Sequence, residues 1–387
     1  MNINMTSRER VLAAIRRQSV DYVPCAPFMK FQEEDQRWGK AWQYPFGPSI
    51  RETLEYMVNQ LGVDQLLQIE TSNYGLGFYP DPEVESRVWQ KDNIIHKSWL
   101  TPSGELHASV RYDEHWVPGF DIPFFHDYNA SHFVDPWITS MQDVHCLQHI
   151  LKPPQKTDDL ERIQFQYQAF KQLADHYQVA TSLEVGMGLS GAVNMFGPTE
   201  ISMLTISDPE LVDAYLEVDH QFNLKMIEIG LELGIDMIRR NGFYETCDLF
   251  SPNLLKRFLE NRLTNETKLV HSFGKLMGYS ILSGYMPILD YLAKIGFDCL
   301  FCPDIFLASN NERLLVDKMG HNTSFWTGPS DTLHMPWNNP DEVRKAVRKV
   351  FEVFGKKGLI LTPCASSKAV FPWDNVLAMV DEWKKLR

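Results

Sequence analysis

Short apolar runs alternate along the chain with longer stretches of helical periodicity. Ser7 or Thr6 caps a first helix, whose apolar stripe is Val11, Leu12 and Ile15. Residues 21–28 read as a first strand bounded by Pro24 and Pro27. A helix over 51–61, closed by Gly62, and a second strand over 64–70 follow. The rhythm then breaks. Segments 84–90, 93–100 and 105–112 alternate in period two, with a turn at Pro102-Ser103-Gly104, and predict a β-meander. An aromatic, histidine-rich run comes next, including Trp116, Phe124, His126, His132 and Trp137. Residues 71–135 are therefore an insertion after the second strand, placed to form a lid or a pocket wall. From residue 158 helices and short apolar strands alternate to the end.

Eight strands, near residues 23, 66, 181, 237, 269, 299, 325 and 360, predict an α/β fold of the (β/α)8 TIM-barrel class. No linker or repeat divides residues 1–387, which read as one domain. The turn Val185-Gly-Met-Gly-Leu-Ser-Gly-Ala192 lacks the Gly-Lys-Ser/Thr of a P-loop, and a lone GxG does not specify a dinucleotide.

Charge narrows the partners. A formal charge of −13 argues against nucleic acid or an anionic membrane, and no run approaches the roughly 20 apolar residues of a membrane span. Six scattered cysteines form no disulfide framework, and the N-terminus has no apolar signal core, so a reduced cytoplasm is the expected compartment.

In a barrel the chemistry collects at the carboxyl ends of the strands. Those positions hold Lys30, Glu70, Glu184, Glu245 with Cys247, His271, Cys302 with Asp304, Asp331 and Cys364. The segment Lys268-Leu-Val-His-Ser-Phe-Gly274 reads as a strand ending on His271, and Gly358-Leu-Ile-Leu-Thr-Pro-Cys364 as one ending on a thiol. A His and a Cys at one rim are candidate ligands of one metal, and N/S donors with an open position suit zinc. Singly, each is also explained as a hydrogen-bonded histidine or a buried, inert cysteine.

Several segments together resemble the uroporphyrinogen decarboxylase superfamily. They are Met5-Thr-Ser-Arg-Glu-Arg-Val-Leu-Ala-Ala-Ile15 through Pro24, Ser190 to Gly197, Asp208-Pro-Glu-Leu-Val212, Phe250-Ser-Pro252, His271-Ser-Phe-Gly274, and Gly328-Pro-Ser-Asp331 through Pro372-Trp-Asp-Asn375. The resemblance spans nearly the whole chain and implies a (β/α)8 barrel. The porphyrinogen-binding branch uses arginines after the first strand, whereas this chain has the acidic Phe28-Met-Lys-Phe-Gln-Glu-Glu-Asp-Gln-Arg37. The zinc methyltransferase branch, which works with corrinoid proteins, is the nearer likeness.

That branch implies zinc held by a His-x-Cys motif after strand five and a Cys after strand eight. His271 and Cys364 match the first and last positions, and Phe273 stands where the middle Cys belongs. Glu245 is then the favoured third ligand, with Cys302 or Cys247 as alternatives. The implied activity is methyl transfer between a small methoxylated compound (an aryl methyl ether included) or a thiol and a corrinoid-binding partner protein. Asp304 and Glu184 are the candidate acids. Tyr74, Trp116, Phe273 and Trp326 are the candidate substrate contacts, although ring packing explains each equally well. A homodimer is the assembly considered. A metal-free binding protein, and a decarboxylase using Lys30 and Arg240, are the alternatives.

Overall fold

The computed structural model describes residues 4–27, 45–47, 49–70, 77–307, 310–337, 339–364 and 371–387. Its centre is a curled, TIM-barrel-like sheet of seven parallel strands: β1 (Leu66–Glu70), β6 (Ala180–Val185), β7 (Met237–Asn241), β8 (Leu276–Ser280), β9 (Cys299–Phe301), β10 (Ser324–Thr327) and β11 (Leu359–Leu361). The strands follow one another in that order across the sheet. The expected first strand is reduced to a bridge between Cys25 and Leu361. It nevertheless joins both edges: Leu361 N donates to Pro24 O at 2.9 Å, Ala26 N to Leu361 O at 2.9 Å, and Asp64 N to Cys25 O at 2.7 Å.

The helix Ser7–Ile15 starts on a Thr6/Glu9 capping box and buries Val11, Ala14 and Ile15. These pack with Ala180, Met237, Leu276, Cys299, Phe301, Trp326 and Ile360. Arg10 fixes the helix by donating to Asp64 Oδ1 at 2.6 Å and Asp21 Oδ1 at 2.6 Å.

The insertion is a four-stranded antiparallel sheet: β2 (Glu85–Lys91), β3 (Ile94–Thr101), β4 (Gly104–Arg111) and β5 (Phe133–Asp135). Its inner face buries Ile95, Leu106, Ala108 and Val110. Beside them Phe124 packs on Trp137 with ring centroids 4.7 Å apart and stacks on Trp99 at 5.7 Å. Among the described residues no helix is long and apolar enough to cross a membrane.

One expected strand is absent. Residues 268–274 do not form one; the helix Pro252–Ser272 runs through Leu269, Val270 and His271. Leu255, Leu259, Leu263 and Val270 recur at helical spacing and are all buried, so Leu269-Val270 continues an apolar stripe. Gly274, at φ +66°, lies just beyond the helix end, and the strand comes only at Leu276–Ser280. A two-residue apolar pair is too short to separate strand from helix by periodicity.

Candidate active site

Strand β7 carries two consecutive arginines, whose side chains leave opposite faces of the sheet. Arg239 turns inward. Its Nε donates to Ser280 Oγ at 2.7 Å and its Nη1 to Gln68 Oε1 at 2.8 Å, with Glu184 Oε2 at 3.4 Å. Gln68 Nε2 donates to the same Glu184 oxygen at 3.1 Å. The guanidinium lies 4.8 Å over the Phe301 ring, which stacks on Trp326. Glu184 is ion-paired and 22% exposed, whereas Arg239 is 2% exposed, so the carboxylate is the more open side of this polar layer.

Arg240 turns outward into a second, fully buried network. It meets Glu245 Oε1 at 3.2 Å and Glu266 Oε2 at 3.2 Å, and also donates to the Asn241 carbonyl. Glu245 accepts from Tyr279 OH at 2.7 Å and from Leu189 N at 3.0 Å. Asp219 holds Gly188 N at 2.9 Å. Burial pushes the Glu245 and Asp219 carboxyls up, and Arg240 partly offsets this in each case. The glycine-rich turn after β6 is the cradle of this ion pair. A Cβ at Gly188, whose φ is +45°, would collide with Glu245 Oε1 and Arg240 Nη2.

The third cluster lies at the carboxyl ends of β9, β10 and β11. Cys302 takes a left-handed φ of 61°, a strained conformation for a residue with a Cβ. Its carbonyl lies 3.1 Å from Cys364 Sγ. Thr327 Oγ1 is 3.3 Å from the same sulfur but donates its proton to Pro303 O at 2.8 Å. Cys364 therefore sits among acceptors, fully buried, and burial pushes its thiol well up; it is a neutral S–H.

Asp304 is also fully buried. Its Oδ1 accepts from Phe306 N at 2.9 Å, while Oδ2 has no hydrogen-bond partner. Burial pushes this carboxyl up, and the Ser330 hydroxyl and Phe306 N–H only partly offset the shift. An orphaned carboxylate oxygen is costly in such a place, whereas a protonated acid tolerates it. Burial thus favours the protonated form of Asp304 at this rim.

The remaining expectations fare differently. His271 is at the wrong end: its Nε2 is 2.8 Å from Asp298 Oδ2, and Asp298 precedes β9, whereas Cys302 follows it. Four residues of extended chain separate the two ends by roughly 13 Å. His271 and Cys364 thus cannot share one metal. Phe273, 47% exposed, caps the same helix as His271 and lies at that far end, away from the carboxyl ends of the strands. Trp326 is barrel core, donating Nε1 to Ala26 O at 3.1 Å. Trp116 is buried in the insertion, donating to Gly119 O at 2.8 Å and packing edge-on against His132. Cys247 is partly buried, and burial pushes its thiol up to about 11. Tyr74 and Lys30 fall outside the described residues.

Residues 119–386 match the family model described as uroporphyrinogen decarboxylase (URO-D), well over half of the chain. The chain belongs to the URO-D family. A methyltransferase from Methanosarcina mazei is similar in fold, with a TM-score of 0.60 at 15% identity, covering 99% of each chain. A B12-independent methionine synthase from Shewanella sp. W3-18-1 matches more weakly, with a TM-score of 0.43 at 10% identity, over 60% of this chain and 68% of that one. No curated protein sequence matches the chain.

Among the described residues, the donors do not fit the zinc implied by the methyltransferase branch of the URO-D superfamily. The strand that precedes the expected His-x-Cys motif is β8, and its end reads Ser280-Ile281-Leu282, with neither ligand. Both Glu245 oxygens are engaged, and Cys364 Sγ lies against the Cys302 carbonyl at 3.1 Å. Among the described residues no three His, Cys, Asp or Glu side chains are grouped to hold a metal.

The site also includes residues that periodicity does not single out. Arg239, Gln68 and Ser280 form the polar layer, and the legible signal was a pair of arginines inside an apolar strand. His334, on the loop after β10, accepts from Ser330 N at 3.1 Å through Nδ1 and packs edge-on against Phe306 at 4.5 Å. Nothing in its local sequence marks it.

Proposed function

We propose that this URO-D family member is a methyltransferase that takes a methyl group from the oxygen of a small methoxylated compound. A corrinoid-binding partner protein would supply the accepting nucleophile. The observation that carries this reading is Asp304, a buried carboxyl with one unpartnered oxygen at the carboxyl ends of the strands. As the C–O bond breaks, the oxygen keeps the bonding pair and takes the Asp304 proton, so an alcohol or phenol leaves rather than its anion. Glu184, held in place by Arg239 and Gln68, would orient polar substituents across the mouth. The likeness to the Methanosarcina methyltransferase supports the branch. Decarboxylation of a polycarboxylate is disfavoured because Arg239 and Arg240 are buried and already ion-paired.

The test is demethylation of methoxyarenes by the purified chain with a cobalamin-binding protein. Asp304→Asn should cut turnover by roughly 10²–10⁴-fold while leaving KM nearly unchanged. The wild-type rate should fall as pH rises through the elevated Asp304 pKa. Wild-type turnover in the variant, or release of carbon dioxide in place of demethylation, overturns the reading.

A further inference from the structure

We infer that His96 and His107 form a second site, on the outer face of the insertion sheet, that binds one borderline transition-metal ion such as Cu2+ or Zn2+. The site is independent of the barrel mouth and of the function proposed above.

The two residues sit diagonally on neighbouring antiparallel strands, since His96 of β3 pairs with Ser109 of β4 and His107 with Ser98. Their Nδ1 and Nε2 atoms are 3.2 Å apart. Two imidazole nitrogens about 2.0–2.1 Å from one ion stand about 2.9 Å apart at a right angle and about 3.3 Å at the tetrahedral angle. The observed separation lies between those limits, so the rings need little movement to become a chelate.

Both rings are half-buried, leaving a side open for water to complete the coordination. His96 is held in place by Trp89, whose ring stacks on it at 5.2 Å and 9°, and Arg87 covers Trp89 from 4.7 Å. No proton need be lost on binding. The proton shared between the rings moves to the other nitrogen of its own ring, freeing Nδ1 of His96 and Nε2 of His107 together. A bound ion would clip β3 to β4 and stabilise the insertion by mass action.

The experiment titrates the full chain with Cu2+ and reads electron paramagnetic resonance, binding stoichiometry and tryptophan fluorescence. The expected result is about one ion bound per chain with splitting from two equivalent-type nitrogens, and quenching of Trp89. His96→Gln and His107→Gln should each weaken binding at least tenfold and remove the two-nitrogen pattern. Trp89→Phe should keep the ion but lose that part of the quenching. Unchanged affinity and pattern in both histidine variants overturn the inference. So does a wild-type spectrum with one nitrogen or none, a readout that does not depend on the variants folding.

Discussion

Replacing Arg240 with methionine tests what holds the carboxyl end of β7 to the turn after β6. The guanidinium is 2% exposed, and its partners Glu245 and Glu266 are 0% and 1% exposed. Removing it leaves two carboxylates in a site where burial already pushes Glu245 and Asp219 up. Breaking one side of a buried ion pair costs about 3–5 kcal/mol, against a typical total stability of about 5–15 kcal/mol. With a urea dependence near 3 kcal/mol per molar, the unfolding midpoint should fall by roughly 1–2 M. Equilibrium unfolding followed by circular dichroism measures this. The double variant Arg240→Met/Glu245→Gln should recover much of the loss, because most of the cost lies in the stranded charge rather than in the absent contact. A single variant within about 0.5 kcal/mol of wild type would show that Arg240 does not hold this junction, as would a double variant less stable than the single.

Two further outcomes follow from the same geometry. Gly188→Ala should destabilise the chain by a similar route, through a Cβ that displaces Glu245 and Arg240 at a positive φ; a thermal melt reads the loss. His271→Ala should leave methyl transfer untouched and cost at most about 1 kcal/mol, since the His271–Asp298 pair is partly exposed. Asp298 raises the His271 pKa, burial partly opposes it, and the folded value exceeds the unfolded one. The contribution should therefore be full below about pH 6.5 and vanish as pH rises through the folded value, as seen in stability measured against pH.

Much of the scaffold was legible because burial imposes periods. The meander strands, the turn at Gly104 and six of the eight strand positions followed from alternation and from short apolar runs between helices, and the first position is a single bridge. The failure at residues 268–274 had a specific cause: the last turn of a helix and a short strand present the same two apolar residues, and only the placement of Gly274 tells them apart. That one misassignment carried His271 to the wrong end of the sheet and with it the metal site. Asp304 and Cys364 do lie just beyond the carboxyl ends of β9 and β11, where the short apolar runs put them. The Arg240 network was not legible, since its partners come from residues 188, 219, 245 and 266, which only the folded chain brings together.

Asp304 should keep a proton where ordinary aspartates have lost theirs. Infrared difference spectroscopy of wild type against Asp304→Asn reads it directly through the carbonyl stretch of a protonated carboxyl. The predicted result is a band, absent in the variant, that persists at pH values well above the ordinary aspartate pKa of about 3.9. An Asp304 that ionises together with the exposed aspartates would contradict the account.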